Sequence, residues 1–502
     1  MEQAASDSND GGLGDNLMFL EMEEAANTSD NDNSLPDLMP PSPIDGSEDP
    51  ETVPPLPGAM DMVPAELWLH IFLEICTEAL AEDATFLQHL DAREVIRLVH
   101  PRFASIIDAA PEFWTNFHVS CSTPPDYVER HVATAGNCQL DVIVMFDPDL
   151  LYRLNFLSPN DEDEDDVADD RELSDLVADA VACLQMILPT VPNWKRATIW
   201  CTTDSFLLAV LNAFARVPAP NLEYLLFACP PAVGSRRKCD SLLINPPNIF
   251  NGDLPALRQL RLYSASLPWG DGNYFGRLTY LDIQSLSRLA WPSVEDFIAA
   301  ISASPVLEVL VLTGGGVKFE PGALLPSFVI QSLTTLKLVY TPDSKWAMWV
   351  LAQGSFPSLI NLTCIDFDNL AWSYTEELGL LSGIRDLTIS GPVNGVDHIP
   401  ALLRHLPAIV TLDISDVPGF YLASLLADPL QCPTLRGLRL GREDLTALTT
   451  YVVLRSVDPR NALEWIEYDH GLLYPLSHFS YTMFATLARR IPFFDSRPEF
   501  RV

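Results

Sequence analysis

Residue types able to do chemistry are plentiful in this 502-residue chain, but their spacing is not that of a reaction centre. Nine cysteines, at 76, 121, 138, 183, 201, 229, 239, 364 and 432, form no Cys-x-x-Cys pair and have no local histidine cluster, so the sequence spells out no metal site. Reduced, mostly buried thiols of a cytosolic or nuclear protein are the expectation. His398 and His405 stand seven apart on one segment of helical pattern, a spacing that suits satisfied or exposed side chains rather than ligands. The stretch TGGGVKFEPG, from Thr313, carries three glycines but no following Lys-Ser/Thr pair to hold phosphate and metal, which makes it a turn. No Gly-x-Ser-x-Gly, P-loop, dinucleotide-binding, zincin or kinase pattern is present, and carboxylates are too abundant to single out a pair. The expectation is a protein with no catalytic residues, no metal and no cofactor, and not an enzyme.

Charge narrows the partners. With 68 acidic and 30 basic residues the formal net charge is −38, which disfavours nucleic acid and anionic membrane as main partners, because both present the same sign. A basic or neutral protein fits better. Residues 1–62 contain no Lys or Arg, and the first basic residue is Arg93, so the segment reads as a disordered, solvated acidic tail. Within it, LMFLEMEEA and LPDLMPPSPI mix apolar and acidic residues, a pattern also found in docking or activation segments. The opening MEQAASDSND lacks the basic start of a targeting peptide, and no run approaches the ~20 apolar residues of a membrane span. An intracellular location, cytoplasmic or nuclear, is expected.

The elements come in two kinds. In MVPAELWLHIFLEIC, Pro64 suits a first helical position, and Leu67, Ile71, Phe72 and Ile75 recur at helical spacing. Asp91 and Glu94 have capping-box spacing ahead of a second apolar pattern with Val95, Leu98, Val99, Phe103, Ile106, Ile107 and Ala110 on one side, and Pro101 should kink or divide it. This bundle is predicted to end in AAPEFWTNFHV, where Trp114 covers the helical core and a first strand begins.

Farther on, a motif L-x-x-L-x-L recurs with starts at Leu222, Leu257, Leu278, Leu307, Leu333, Leu359, Ile384, Ile409, Leu435 and Leu463. The starts follow one another at 35, 21, 29, 26, 26, 25, 25, 26 and 28 residues, with further copies at Leu140 and, more weakly, Trp194. Such a period is the mark of a leucine-rich-repeat solenoid, each turn giving one short strand and a helical or 3₁₀ return. Return segments such as SVEDFIAAISASP and HIPALLRHLP have helical spacing. The Asn or Cys that usually follows the motif is mostly missing, so other contacts must replace its polar ladder. The expected organisation is the tail at 1–62, a helical domain at 63–119, the solenoid at 120–490 with an acidic loop near 158–175, and a C-terminal tail at 491–502. The only basic cluster, SRRKC from Ser235, reads as a surface patch.

The stretches VPAELWLHIF and REVIRLVHPRFASIIDAAPEFWTNFHV, standing ahead of these repeats, resemble an F-box of the fungal style. Val63 stands where that pattern has leucine and Phe103 where it has tryptophan. The resemblance implies an α/β protein, a small F-box-like bundle followed by a leucine-rich-repeat horseshoe. It implies that Pro64, Leu67, Ile71, Phe72, Leu98, Val99 and Phe103 dock a Skp-family adaptor, and through it a cullin-type ubiquitin ligase, while the repeats hold a protein substrate. Alternate strand positions must face the concave side, which puts Arg261, Tyr263, Asp282, Lys337, Asp386, Asp413, Arg439 and Trp465 forward as substrate contacts. A repeat scaffold or inhibitor with no ubiquitin role, its helices only capping the array, uses the same residues.

Overall fold

The computed structural model describes residues 63–81, 92–121, 123–146, 170–230, 248–270, 274–319, 326–339, 346–366, 382–390, 406–414, 432–440, 463–468 and 493–495, with 403, 450, 451, 455 and 460 singly. The acidic tail, Asp91, residues 158–169, the SRRKC cluster, His398 and His405 lie outside them.

The chain opens with α1 (Ala65–Ala81), α2 (Ala92–Val99) and α3 (Pro101–Ala109), then a 3₁₀ turn over Pro111–Trp114. Pro101 divides the second apolar pattern. It takes the first position of α3, where a missing N–H costs nothing, and the extended His100 accepts a hydrogen bond from Arg102 N at 3.2 Å through Nδ1. Arg102 in turn donates to the Val63 carbonyl at 2.7 Å, tying α3 to the start of α1.

Fourteen parallel strands form one sheet in strict chain order. They are β1 (Asn116–Ser120), β2 (Leu140–Phe146), β3 (Trp194–Cys201), β4 (Tyr224–Ala228), β5 (Gln259–Tyr263), β6 (Tyr280–Gln284), β7 (Val309–Thr313), β9 (Thr335–Val339), β11 (Asn361–Ile365), β12 (Asp386–Ser390), β13 (Thr411–Ile414), β14 (Gly437–Leu440), β15 (Trp465–Tyr468) and β16 (Phe493–Asp495). The two-residue strands β8 (Phe328–Val329) and β10 (Gly354–Ser355) pair separately. Helices α4 (Pro125–Ala135), α5 (Asp170–Ile187), α6 (Asp204–Phe214), α7 (Val294–Ser302) and α8 (Trp346–Gln353) lie in the returns. The result is a mixed α/β fold with a large parallel sheet, an arrangement compatible with a repeat solenoid.

The motif explains the register. From Leu222 onward each strand begins two residues after its motif start, and the three apolar positions are buried in each copy from Leu222 to Leu435, as Leu257, Leu260 and Leu262 show, and the first two are buried in the last copy, Leu463 and Ile466. Period-two alternation then leaves the residues between them on the other face. The missing polar ladder is replaced by backbone. Before the strands, Arg258 N bonds Glu223 O, Thr279 N bonds Arg258 O and Glu308 N bonds Thr279 O, a series that runs on to Glu464 N and Arg436 O. After β5, β6 and β11, Ser264, Ser285 and Asp366 take positive φ of 51°, 51° and 58°, the left-handed region that small polar side chains tolerate. Their N–H groups then reach Gln284, Thr313 and Ser390 carbonyls on the next strand.

Three sequence boundaries shift. Helix α5 begins at Asp170, so 170–175 of the expected acidic loop are helical. Strand β16 pairs with β15, carrying the sheet beyond residue 490 into the expected C-terminal tail, and β1 already belongs to the sheet before residue 120. By length and composition the stretch Asp175–Asn193 could also cross a membrane, against the reading that no run approaches this. Ala180, Cys183, Leu184 and Ile187 on it are buried in the core, which gives the same composition a different cause. In the TGGGVKFEPG turn, a Cβ on Gly316 would come within 2.8 Å of the Trp291 ring, so the glycine there serves close packing.

Candidate functional site

Helix α1 is apolar on two sides. Trp68 and Phe72 stack with ring centroids 5.5 Å apart, and Phe103 of α3 closes the cluster at 4.7 and 4.9 Å from them. Leu67, Ile71 and Ile75, spaced by one helical turn, are instead exposed at 54%, 44% and 44%. Helix α2, packed against α1, buries Arg93 and Ile96 and exposes Val95, Leu98 and Val99, Leu98 at 86%. Of the apolar residues from Val95 to Ala110 that the sequence places on one side, the division at His100–Pro101 lets α2 and α3 turn different faces inward, so Phe103 and Ile107 are buried and Val95, Leu98 and Val99 exposed. Of the candidate docking residues, Pro64, Leu67, Ile71, Leu98 and Val99 are accessible. Phe72 and Phe103 are core residues that hold the exposed side chains in place rather than touching a partner, since a ring about 5% exposed or less has no surface to offer. The sequence reading passed over Trp68, although its place one turn before Phe72 was the signal for this cluster.

The seam behind these helices centres on Arg93. It is buried, donates to Phe113 O at 2.9 Å and Tyr127 Oη at 2.6 Å, and lies 4.3 Å from the Trp114 ring centroid. His131 of α4 contacts the same ring edge-on at 5.1 Å, and one of its nitrogens lies 2.7 Å from Trp114 O. The other nitrogen faces Arg93 at 3.5 Å, which assigns the neutral tautomer with Nε2 donating to Trp114 O and Nδ1 accepting. Burial, then the Arg93 charge, push the imidazole down to about 3.

The outward face of the sheet gathers the candidate substrate residues into rows. Arg261, Asp282, Lys337, Asp413 and Arg439 occupy one register row, running through Val311, Thr363 and Thr388. Asp386 and Trp465 lie in the row on one side and Tyr263 in the row on the other. Two are not free ligands. Asp282 is 4% exposed and accepts hydrogen bonds from the Gln284 amide and Tyr280 Oη, so it orients neighbours more than it meets solvent. Its burial raises the carboxyl pKa, opposed by Gln284, Arg261, Tyr280 and Lys337. Arg439 bonds Glu467 at 2.6 Å and lies 3.7 Å from Asp413, so carboxylates occupy it from both neighbouring strands. The sequence reading did not name Arg196, Trp200, Tyr224 or Tyr280, which share this face because the register of β3 to β6 aligns them.

Trp465 lies flat against β14, where a Cβ on Gly437 would overlap its ring. Gly437→Ala is expected to displace the indole and destabilise the fold by about 1–3 kcal/mol, the usual range for overpacking. The check is a shift of the urea midpoint, and an unchanged midpoint would mean that Trp465 swings clear at no cost.

No family model matches the sequence, and no curated protein matches it. Among solved structures, the crystal structure of a protein from Bacteroides fragilis is similar over 62% of this chain and 69% of its own, with 12% identity and a TM-score of 0.28.

Proposed function

We propose that this chain is a non-catalytic substrate receptor of a Skp/cullin/F-box ubiquitin ligase, its helices an F-box-like domain and its sheet the inner wall of a leucine-rich-repeat horseshoe. The observation that carries the reading is the exposed apolar set Leu67, Ile71, Leu98 and Val99 on two adjoining helices, backed by the partly buried Trp68 and the buried Phe72 and Phe103. Exposed apolar side chains grouped on a supported scaffold are what a protein interface uses. The repeats then present a protein substrate on their outward rows, and the chemistry belongs to the partners. A reducing intracellular compartment suits thiols such as those of Cys183, Cys201 and Cys364, which are buried in the core.

The test is capture of a purified Skp adaptor by the full chain. Ile71→Glu with Leu98→Glu is expected to weaken binding at least about a hundredfold with an unchanged melting temperature, because the charges are placed in the centre of the contact. If the unaltered protein captures no adaptor, or the double variant captures as much, the ligase reading fails. The alternative of a scaffold or inhibitor then stands, with the helices capping the array through the Arg93 and Trp114 seam.

A further inference from the structure

Resting on the receptor reading, we infer that the outward face from β3 to β6 binds an extended segment of the partner protein that carries an anionic side chain beside an apolar one. Four aromatic rings and two guanidinium groups meet there. Trp200 and Tyr263 lie in one register row on either side of Ala228, and their rings lean together over it with centroids 5.8 Å apart and planes 19° apart. Ala228 is fully buried beneath this pair, which makes an apolar floor of two half-exposed rings.

In the opposite row Tyr224 and Tyr280 flank Arg261, whose guanidinium carbon lies 5.9 Å from one ring centroid and 4.9 Å from the other. Arg196 covers Tyr224 from its other side at 4.5 Å. Stacking fixes a guanidinium plane while leaving its edge hydrogens to seek acceptors. The Nε of Arg261 is buried and, among the described residues, has no hydrogen-bond acceptor. Asp282, its register neighbour, is already committed to Gln284 and Tyr280. Among the described residues Arg196 pairs loosely with Asp141 at 3.9 Å, and its side chain is half exposed.

Local charge, not the net −38 that favours basic or neutral partners overall, then selects the occupant. The row through Arg261 carries Lys337 as well as the committed Asp282, while at the far end Arg439 is already taken up by Asp413 and Glu467. An incoming carboxylate or phosphate finds an oriented arginine edge at β3 to β6 and a carboxylate ladder at β13 to β15. The aromatic floor one row away sets the second requirement, an apolar side chain about two residues along an extended segment.

The experiment measures binding of the full chain to three fluorescent peptide pools with degenerate flanks and a fixed centre of Trp-x-Glu, Trp-x-phosphoserine or Trp-x-Gln. The glutamate or phosphoserine pool is expected to bind at least about tenfold tighter than the glutamine pool, as a charge-assisted hydrogen bond implies, and the two acidic arms separate a carboxylate from a phosphate ligand. Arg261→Met should remove that preference and leave binding of the glutamine pool unchanged. Arg196→Gln, at an exposed position, should reduce the preference even if Arg261→Met fails to fold. Equal binding of all three pools, or a preference that survives both substitutions, overturns the inference. Adaptor capture by the unaltered chain separates the two readings: capture with equal binding of all three pools overturns this inference alone, and a peptide preference without capture overturns the receptor reading alone.

Discussion

Replacing Trp114 with alanine is expected to lower the unfolding free energy by about 3–5 kcal/mol, the range for removing a fully enclosed aromatic ring. The ring has no exposed surface, its Nε1 donates to Ile107 O at 3.1 Å, and Arg93 and His131 lie against its face and edge. Alanine leaves a cavity between α3, α4 and the first strand, strips Arg93 of the ring that covers its charge, and leaves Ile107 O without this donor. The cost is thus felt on both sides of the seam. Urea unfolding followed by circular dichroism checks it, with Trp114→Phe as a milder companion that keeps most of the packing and loses the hydrogen bond. A loss of less than about 1 kcal/mol in the alanine variant would show that Arg93 and its acceptors hold the seam without the indole.

The second large effect is a dependence on acid. The His131 imidazole has a folded pKa of about 3 against an ordinary value of 6.5, so above pH 6.5 it is neutral in both states and the fold has its full stability. Between 6.5 and 3 the unfolded chain takes up a proton that the folded chain refuses, and stability falls as pH falls, by at most about 1.4 kcal/mol per pH unit. Below 3 this group contributes no further loss. Arg93 adds to the effect, because its charge repels a second cation placed beside it. His131→Gln preserves a donor toward Trp114 O and an acceptor toward Arg93 while removing the titration. The difference in melting temperature between the two proteins is therefore expected to shrink or reverse on going from pH 7 to pH 4. A difference that stays constant would assign the acid sensitivity to other groups.

Much of the architecture was legible because apolar spacing in a repeat is a strong and redundant signal. Leu260 and Leu262, Leu310 and Leu312, or Leu336 and Leu338 point inward wherever the motif is found, and one weak copy does not disturb its neighbours. The helical unit was harder, since its helices are apolar on more than one side. Ile71 and Phe72 are adjacent in sequence and equally apolar, yet one is exposed and the other buried, and only the rings of Trp68 and Phe103 decide which. The same limit applies to the outward rows. Alternation placed Arg261 and Asp282 on the correct face, but the burial of Asp282 depends on Gln284 and Tyr280. The aromatic floor of Trp200 and Tyr263 depends on the small Ala228 between them, in a strand whose own sequence gives no hint of it.

The backbone ladders on either side of the strands have a consequence for how such a protein can change. Register is kept by main-chain groups before the strands, by left-handed residues after several of them, and by apolar side chains beneath, so exposed outward positions such as Arg196 are not needed to hold it. Spacings as unequal as 21 and 35 residues leave adjacent strands in step, which shows that the returns can lengthen without disturbing the rows. Fold and specificity can therefore vary along partly separate axes: a substitution at an exposed outward position changes the surface offered to a partner while the buried motif and the backbone ladder keep the strands in register.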